Sequence, residues 1–264
     1  MNLFKVSVLT LSIGLLAACS SGGGSGDSDA STSTANRESV VSSINTLDKD
    51  TMKSIDLVPE RYREQVKEAK RIRFPDGTIL DLADYPIGII QEKTNSRTAK
   101  GINLPYSVIG AWLPNNVKVD KEGRVIDPRV IEDDLDAFGL YTRRDQIPTS
   151  GVAQYNGYSL GAVTSGKLQL NVDFADKTVD GKLYDRKFDS NGKRLSDIVL
   201  NKGVITEVST GEEDIVAFTG MATYKGEVGA YVGAFMGPNA EEVIGVVIDS
   251  ENQETYESFA GQRK

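Results

Sequence analysis

The sequence predicts a mainly β protein: an eight-stranded antiparallel up-and-down barrel in residues 149–264, preceded by a small irregular α+β domain in residues 41–148. Three observations predict it. Between Lys167 and Phe174, Leu168, Leu170, Val172 and Phe174 alternate without a break against Lys167, Gln169, Asn171 and Asp173. Successive side chains of a strand point to opposite faces, so this strand has an apolar face that neighbours must cover. Runs of the same kind recur through residues 150–264, joined by short links of turn-forming residues, as antiparallel neighbours require. Glycine also recurs inside these runs, at Gly157, Gly161, Gly220, Gly229, Gly233 and Gly245. Interior glycine marks sharp bends or close packing, which a small barrel needs.

Composition excludes several functions before any element is placed. The 264 residues carry a formal charge of −8, which repels nucleic acid and anionic membrane surfaces at long range. There is no histidine, so the commonest metal ligand, general base and haem ligand are missing together. Ser-His-Asp and Cys-His catalysis cannot be built in their usual form. The single cysteine, Cys19, allows no intrachain disulfide and no thiolate zinc cluster. No cofactor and no catalytic site are expected.

Residues 1–18 have the layout of a secretory signal: Lys5, then an apolar run from Val6 to Leu16, then small residues. The run is shorter than the ~20 apolar residues of a membrane span. Leu16-Ala17-Ala18-Cys19 resembles a lipobox, the processing site of bacterial lipoproteins. That resemblance implies acylation of Cys19 as the first mature residue, and Ser20 after it implies sorting to the outer membrane. Residues 19–40 form a Gly/Ser/Thr-rich stretch nearly without apolar groups, which cannot offset its ordering entropy by burial. Such a coil reaches roughly 25 Å and serves as a tether.

In the middle segment, Pro59 to Arg71 reads as a helix, with Glu60 and Glu64 early and Lys67, Lys70 and Arg71 late, complementing the helix dipole. Ile72–Leu80 reads as two short strands around Pro75-Asp76-Gly77, with further strands at Ile87–Ile90 and Tyr106–Trp112. Val117–Ile126 reads as a hairpin turning at Asp120–Gly123, and Phe138–Thr142 as a last short strand. Tyr106 and Trp112 are candidates for recognition because large rings are enriched in binding hot spots. The competing assignment is core packing, which is the stronger one for Trp112.

The barrel strands are expected at Val152–Val163, Lys167–Phe174, Thr178–Asp185, Asp197–Ile205, Val216–Tyr224, Gly229–Phe235, Glu241–Ile248 and Thr255–Gln262. Thr164-Ser165-Gly166 is the expected first link. Tyr155, Phe218, Tyr224, Tyr231 and Phe235 are expected to fill the interior rather than hold a ligand. The acidic pairs Asp133-Asp134, Glu212-Glu213 and Glu241-Glu242 are adjacent in sequence. Adjacent strand residues face opposite ways, so these pairs do not converge on a substrate and read as solvated charges.

Four stretches occur in order: Gly151–Gly157, Leu170–Ala175, Gly233–Gly245 and Phe259–Lys264. As an ordered set they are similar to the β-barrel domain of the transferrin-binding protein B family and to the C-terminal domain of the factor H binding protein family. Residues 41–148 occupy the place of the handle-type domain of that superfamily. The resemblance implies a Gram-negative surface lipoprotein that binds a host extracellular protein, of the iron-carrier or complement-regulator kind. It further implies outer-membrane attachment through lipid and export by a surface-lipoprotein translocon. Some relatives bind haem, so a haem or small-ligand binding protein is the alternative. The absence of histidine weighs against it, although Tyr and Met can ligate iron. No partner-contact residue is carried over from the resemblance.

Overall fold

A computed structural model of the chain describes residues 52–73, 79–93, 97–115, 117–126, 135–209, 214–249 and 255–264. Every structural statement below concerns these residues. Helix α1 (Glu60–Ala69) starts one residue later than the sequence suggests, because Pro59 serves as its N-cap. Val66 is buried beneath it with Ile55, Val58 and Ala83, and the Lys67–Glu64 and Arg71–Glu68 pairs line its outer side.

Strands β1 (Arg71–Arg73) and β2 (Ile79–Asp81) pair antiparallel as expected. The Pro75-Asp76-Gly77 turn between them lies outside the described residues. A four-stranded sheet follows, ordered β3 (Gly88–Lys93), β4 (Arg97–Asn103), β5 (Ser107–Pro114), β6 (Leu135–Gly139). Sequence reading missed β4 because Arg-Thr-Ala-Lys-Gly-Ile-Asn shows no alternation. Pairing on both edges holds it, and Gly101 lies opposite Gly110 so that the two backbones approach closely. A Cβ on Gly110 would meet Gly101 Cα and Lys100 O at 2.8 Å. Strand β6 ends earlier than expected. After Gly139 the chain leaves the sheet, and Tyr141 and Arg143 bridge to the barrel at Met236 and Ile215.

The Val117–Ile126 hairpin is present in reduced form, as a single Val119–Val125 bridge. Side chains reinforce it: the Asp120 carboxylate accepts from the backbone of Glu122 and Arg124 and from the Arg124 guanidinium.

Eight strands close the barrel: β7 (Val152–Leu160), β8 (Thr164–Asp173), β9 (Thr178–Phe188), β10 (Ile198–Ser209), β11 (Asp214–Tyr224), β12 (Glu227–Met236), β13 (Glu242–Asp249) and β14 (Thr255–Arg263). Each pairs with the next, and β14 returns to β7, so no barrel edge is left open. One expected turn is misplaced. Thr164, Ser165 and Gly166 belong to β8, and the chain reverses at residues 161–163. Ser165 pairs with Leu160 and Thr164 with Phe188, which extends the ladder past that point.

The interior is the expected one. Leu168, Leu170 and Val172 of β8 point inward with Tyr155, Phe218, Tyr231, Phe235 and Phe259. Close packing explains two of the interior glycines: a Cβ on Gly220 would strike the Tyr231 ring, and one on Gly245 the Phe259 ring. The buried phenols are satisfied. Tyr155 donates to Ala240 O at 2.6 Å and Tyr231 to Asn201 O at 2.7 Å. Asn201 sits in a β10 bulge, where pairing slips after Leu200, up to Gly203 against β9 and up to Val204 against β11.

The barrel wall is also apolar on part of its outside. Val232, Ala234, Met236, Ile244, Val246, Ile248 and Ala260 pack against Ile102, Leu104, Ile109 and Ala137 of the small sheet. Strand β13 is consequently buried on both faces along nearly its whole length, which its run Val-Ile-Gly-Val-Val-Ile reflects.

Candidate functional site

The residue predicted to carry the lipid, Cys19, lies outside the described residues. So do the signal segment, the tether, Asp133-Asp134, Glu212-Glu213 and the side chain of Trp112. Tyr106 is core rather than a recognition residue: it is buried beside Val66 and Ala83. Glu242 is a correction of another kind. It is read from sequence as a solvated charge, yet only 1% of it is exposed. Strand β13 carries it into the seam between small sheet and barrel, where it accepts from Tyr106 N at 3.0 Å and Ser107 Oγ at 2.7 Å. Burial pushes its carboxyl up, against the pull of those hydrogen bonds and of Lys70.

Lys70 is its counterpart at the end of α1. Its ammonium donates to Ser54 Oγ at 2.9 Å and Leu104 O at 2.6 Å. Burial pulls it down from the usual lysine value, partly offset by Glu242 and Asp81. A second clamp across the seam is Lys100 of β4, which donates to Gly161 O, Thr164 O and Asp189 Oδ2. Lys70 thus ties the end of α1 to the small sheet, and Glu242 and Lys100 fasten that sheet to the barrel alongside its apolar face.

One barrel mouth holds a charged cluster. Arg186 and Glu257 pair with both side chains fully buried. The guanidinium also donates to Ser196 O and Tyr256 Oη, and lies 5.1 and 5.2 Å from the Tyr224 and Tyr256 ring centres. Burial pushes the Glu257 carboxyl up, although Arg186 and Ser159 favour its ionised form. Alternation along β9 places Val179 and Leu183 inside and would leave residue 186 outside. The bulge at Asp185, whose φ is 51°, adds a residue opposite Gly166 and turns Arg186 inward. Sequence alone carries no signal for that inversion.

The 117–126 hairpin closes over this mouth. Tyr224 Oη and Lys225 Nζ both donate to Glu122, and their hydrogen bonds hold its carboxyl below the usual range. Arg124 reaches Glu227 and Asp249 on the barrel. Beneath it lies a cavity of about 110 Å³ lined by Tyr224, Tyr256, Ile198, Ala222 and Val247. Small-molecule sites occupy roughly 300–1,000 Å³, so this space does not accommodate haem. The arrangement ties the hairpin to this barrel end.

The outer wall divides into three kinds of surface. The β8–β9 side is polar, with Lys167, Gln169, Asp180 and Lys182 outward. The β12–β14 side is apolar and covered. Between them, β10–β12 expose Val199, Val204, Met221 and Val228 at 46–54%. This bare apolar strip is the candidate interface.

Comparison with known proteins fits this architecture. Residues 145–247 match the family model described as factor H binding protein, C-terminal, a segment running from just before β7 into β13. That segment is similar to the factor H binding protein C-terminal domain and contains the first three of the ordered landmarks. Among solved structures, a mutant transferrin-binding protein B from Haemophilus parasuis Hp5 aligns at 18% identity and a TM-score of 0.49. The alignment covers 74% of this chain and 41% of that one. The isotype 1 transferrin-binding protein B from serogroup B Neisseria meningitidis gives 19% and 0.47, over 75% and 40%. HpuA from Kingella denitrificans, solved in complex with human haemoglobin, gives 16% and 0.46, over 74% and 76%. This chain therefore spans about two fifths of the transferrin-binding proteins it aligns with. No curated protein matches it.

Proposed function

We propose that this chain is a surface lipoprotein of a Gram-negative outer membrane that binds a host extracellular protein. The observation that carries the reading is the match of residues 145–247 to a domain family named for binding factor H, a host protein. In this reading residues 1–18 are the signal peptide, Cys19 bears the acyl chains and residues 19–40 hold the folded part clear of the headgroups. A surface-lipoprotein translocon delivers it. The partner belongs to the complement-regulator or iron-carrier class. Binding, rather than catalysis, suits a barrel whose interior is filled by side chains and whose buried charges are engaged by protein groups. The small size of the mouth cavity disfavours the haem alternative.

Two measurements test it together. Radiolabelled palmitate is expected to enter the wild-type protein and not Cys19→Ser, and immobilised full-length protein is expected to retain a host serum protein saturably. Equal labelling of the two proteins, or no saturable serum binder, contradicts the reading.

A further inference from the structure

The apolar wall that receives the small sheet runs on beyond the sheet's border. One cross-strand row passes from Val204 through Thr219 and Val232 to Val246. Its first member is 54% exposed, and its last two lie buried under the sheet. A second row passes from Met221 through Ala230 to Ile248, again from exposed to covered. A third joins Val199 and Val228 through Thr223, and both valines are about half exposed. The bare strip is therefore continuous with an interface the molecule already uses.

Its rim is mainly basic. Lys177, Lys182 and Lys202 border it on β9, β10 and the turn before them, and none has a carboxylate partner among the described residues. Of the acids nearby, Glu207 is paired with Arg144 and Glu227 with Arg124, and the Asp180 carboxylate, bonded to the neutral Asn171 amide, is outnumbered by the three lysines. An apolar centre with a mainly basic border, on a chain of net charge −8, is a local departure from the molecule's own field.

We propose that the β10–β12 wall is the docking surface for the protein partner, and that the partner presents an apolar face bordered by carboxylates. This rests on the host-binding reading and locates it. Desolvating the valines and Met221 supplies the driving force, while the lysine rim orients the encounter. An anionic bilayer is the weaker occupant, because the whole chain is repelled from it.

The test uses immobilised full-length protein and host serum, with the captured protein quantified against serum concentration. Val204→Glu/Met221→Glu is expected to lower capture by at least about tenfold. Lys182→Glu/Lys202→Glu is expected to lower it several-fold and to flatten its dependence on salt. Gln154→Glu, on β7 at the far side of the barrel, leaves capture unchanged, and thermal melts confirm that all three variants fold. If a serum protein is captured saturably but both double variants retain it, host binding stands and this location is wrong. If sedimentation shows a wild-type dimer that Met221→Glu dissolves, the wall is occupied by a second copy and the proposal is overturned. If no serum protein is captured saturably, the host-binding reading fails and the proposal fails with it.

Discussion

The barrel has two apolar stretches of outer wall with opposite fates. On β12–β14, Val232, Ile244 and Val246 are roofed by the small sheet, and Glu242 and Lys100 pin that roof in place. On β10–β12, Val199, Val204, Met221 and Val228 are about half exposed. The wall chemistry is similar, so the difference lies in where the sheet ends. An apolar outer face on a barrel strand does not by itself say that the strand is covered. Its neighbours decide, and an uncovered remainder next to a covered one is where a partner adds to the fold's own packing.

Substitutions should separate the two stretches sharply. Ile244→Ala, under the roof, removes buried methyl groups and leaves a cavity. It should cost about 2–5 kcal/mol in urea unfolding. An effect below about 1 kcal/mol would mean the roof is not packed there. Next in size is Lys100→Met, which strips a buried donor from Gly161 O, Thr164 O and Asp189. It should cost about 1–3 kcal/mol. Amide exchange should also quicken in β4 before it quickens in the barrel strands.

The pH dependence of the seam should be smaller. Glu242 is raised by burial, so the folded state holds a proton that the unfolded chain has released. Its contribution is present below the ordinary Glu value of 4.5 and is lost as pH rises through the folded value. Lys70 is lowered, so its burial cost persists at neutral pH and is relieved only towards 10.5. The groups facing the pair are Ser54, Asp81, Tyr106, Ser107 and Glu241. Wild type should therefore lose thermal stability relative to Glu242→Gln as pH is raised from 5 to 7. A constant difference across that range would contradict the buried carboxyl. The smallest effect belongs to the bare wall: Met221→Ala should stay within about 0.5 kcal/mol of wild type.

The barrel was legible because its signals are local. Alternation from Lys167 to Phe174 shows one face, and glycines at 220 and 245 mark where rings press on the backbone. Strand β4 was not legible, because its strand character comes from pairing on both sides rather than from its own residues. Arg186 and Glu242 were not legible either. A bulge turns the first inward, and a domain seam encloses the second, and both depend on residues far away in sequence. The bare wall was half legible. Val199, Val204, Met221 and Val228 can be read off the chain, but their exposure needs the edge of the roof.

Single-cysteine labelling on living cells tests the account most directly. The native thiol at Cys19 is expected to be acylated, so Met221→Cys and Ile244→Cys each add one reportable thiol. A membrane-impermeant maleimide applied to intact cells should label position 221 readily and position 244 barely. Equal labelling at both positions would show that the small sheet does not cover the wall. No labelling at 221 until the outer membrane is permeabilised would show that the barrel does not stand outside the cell.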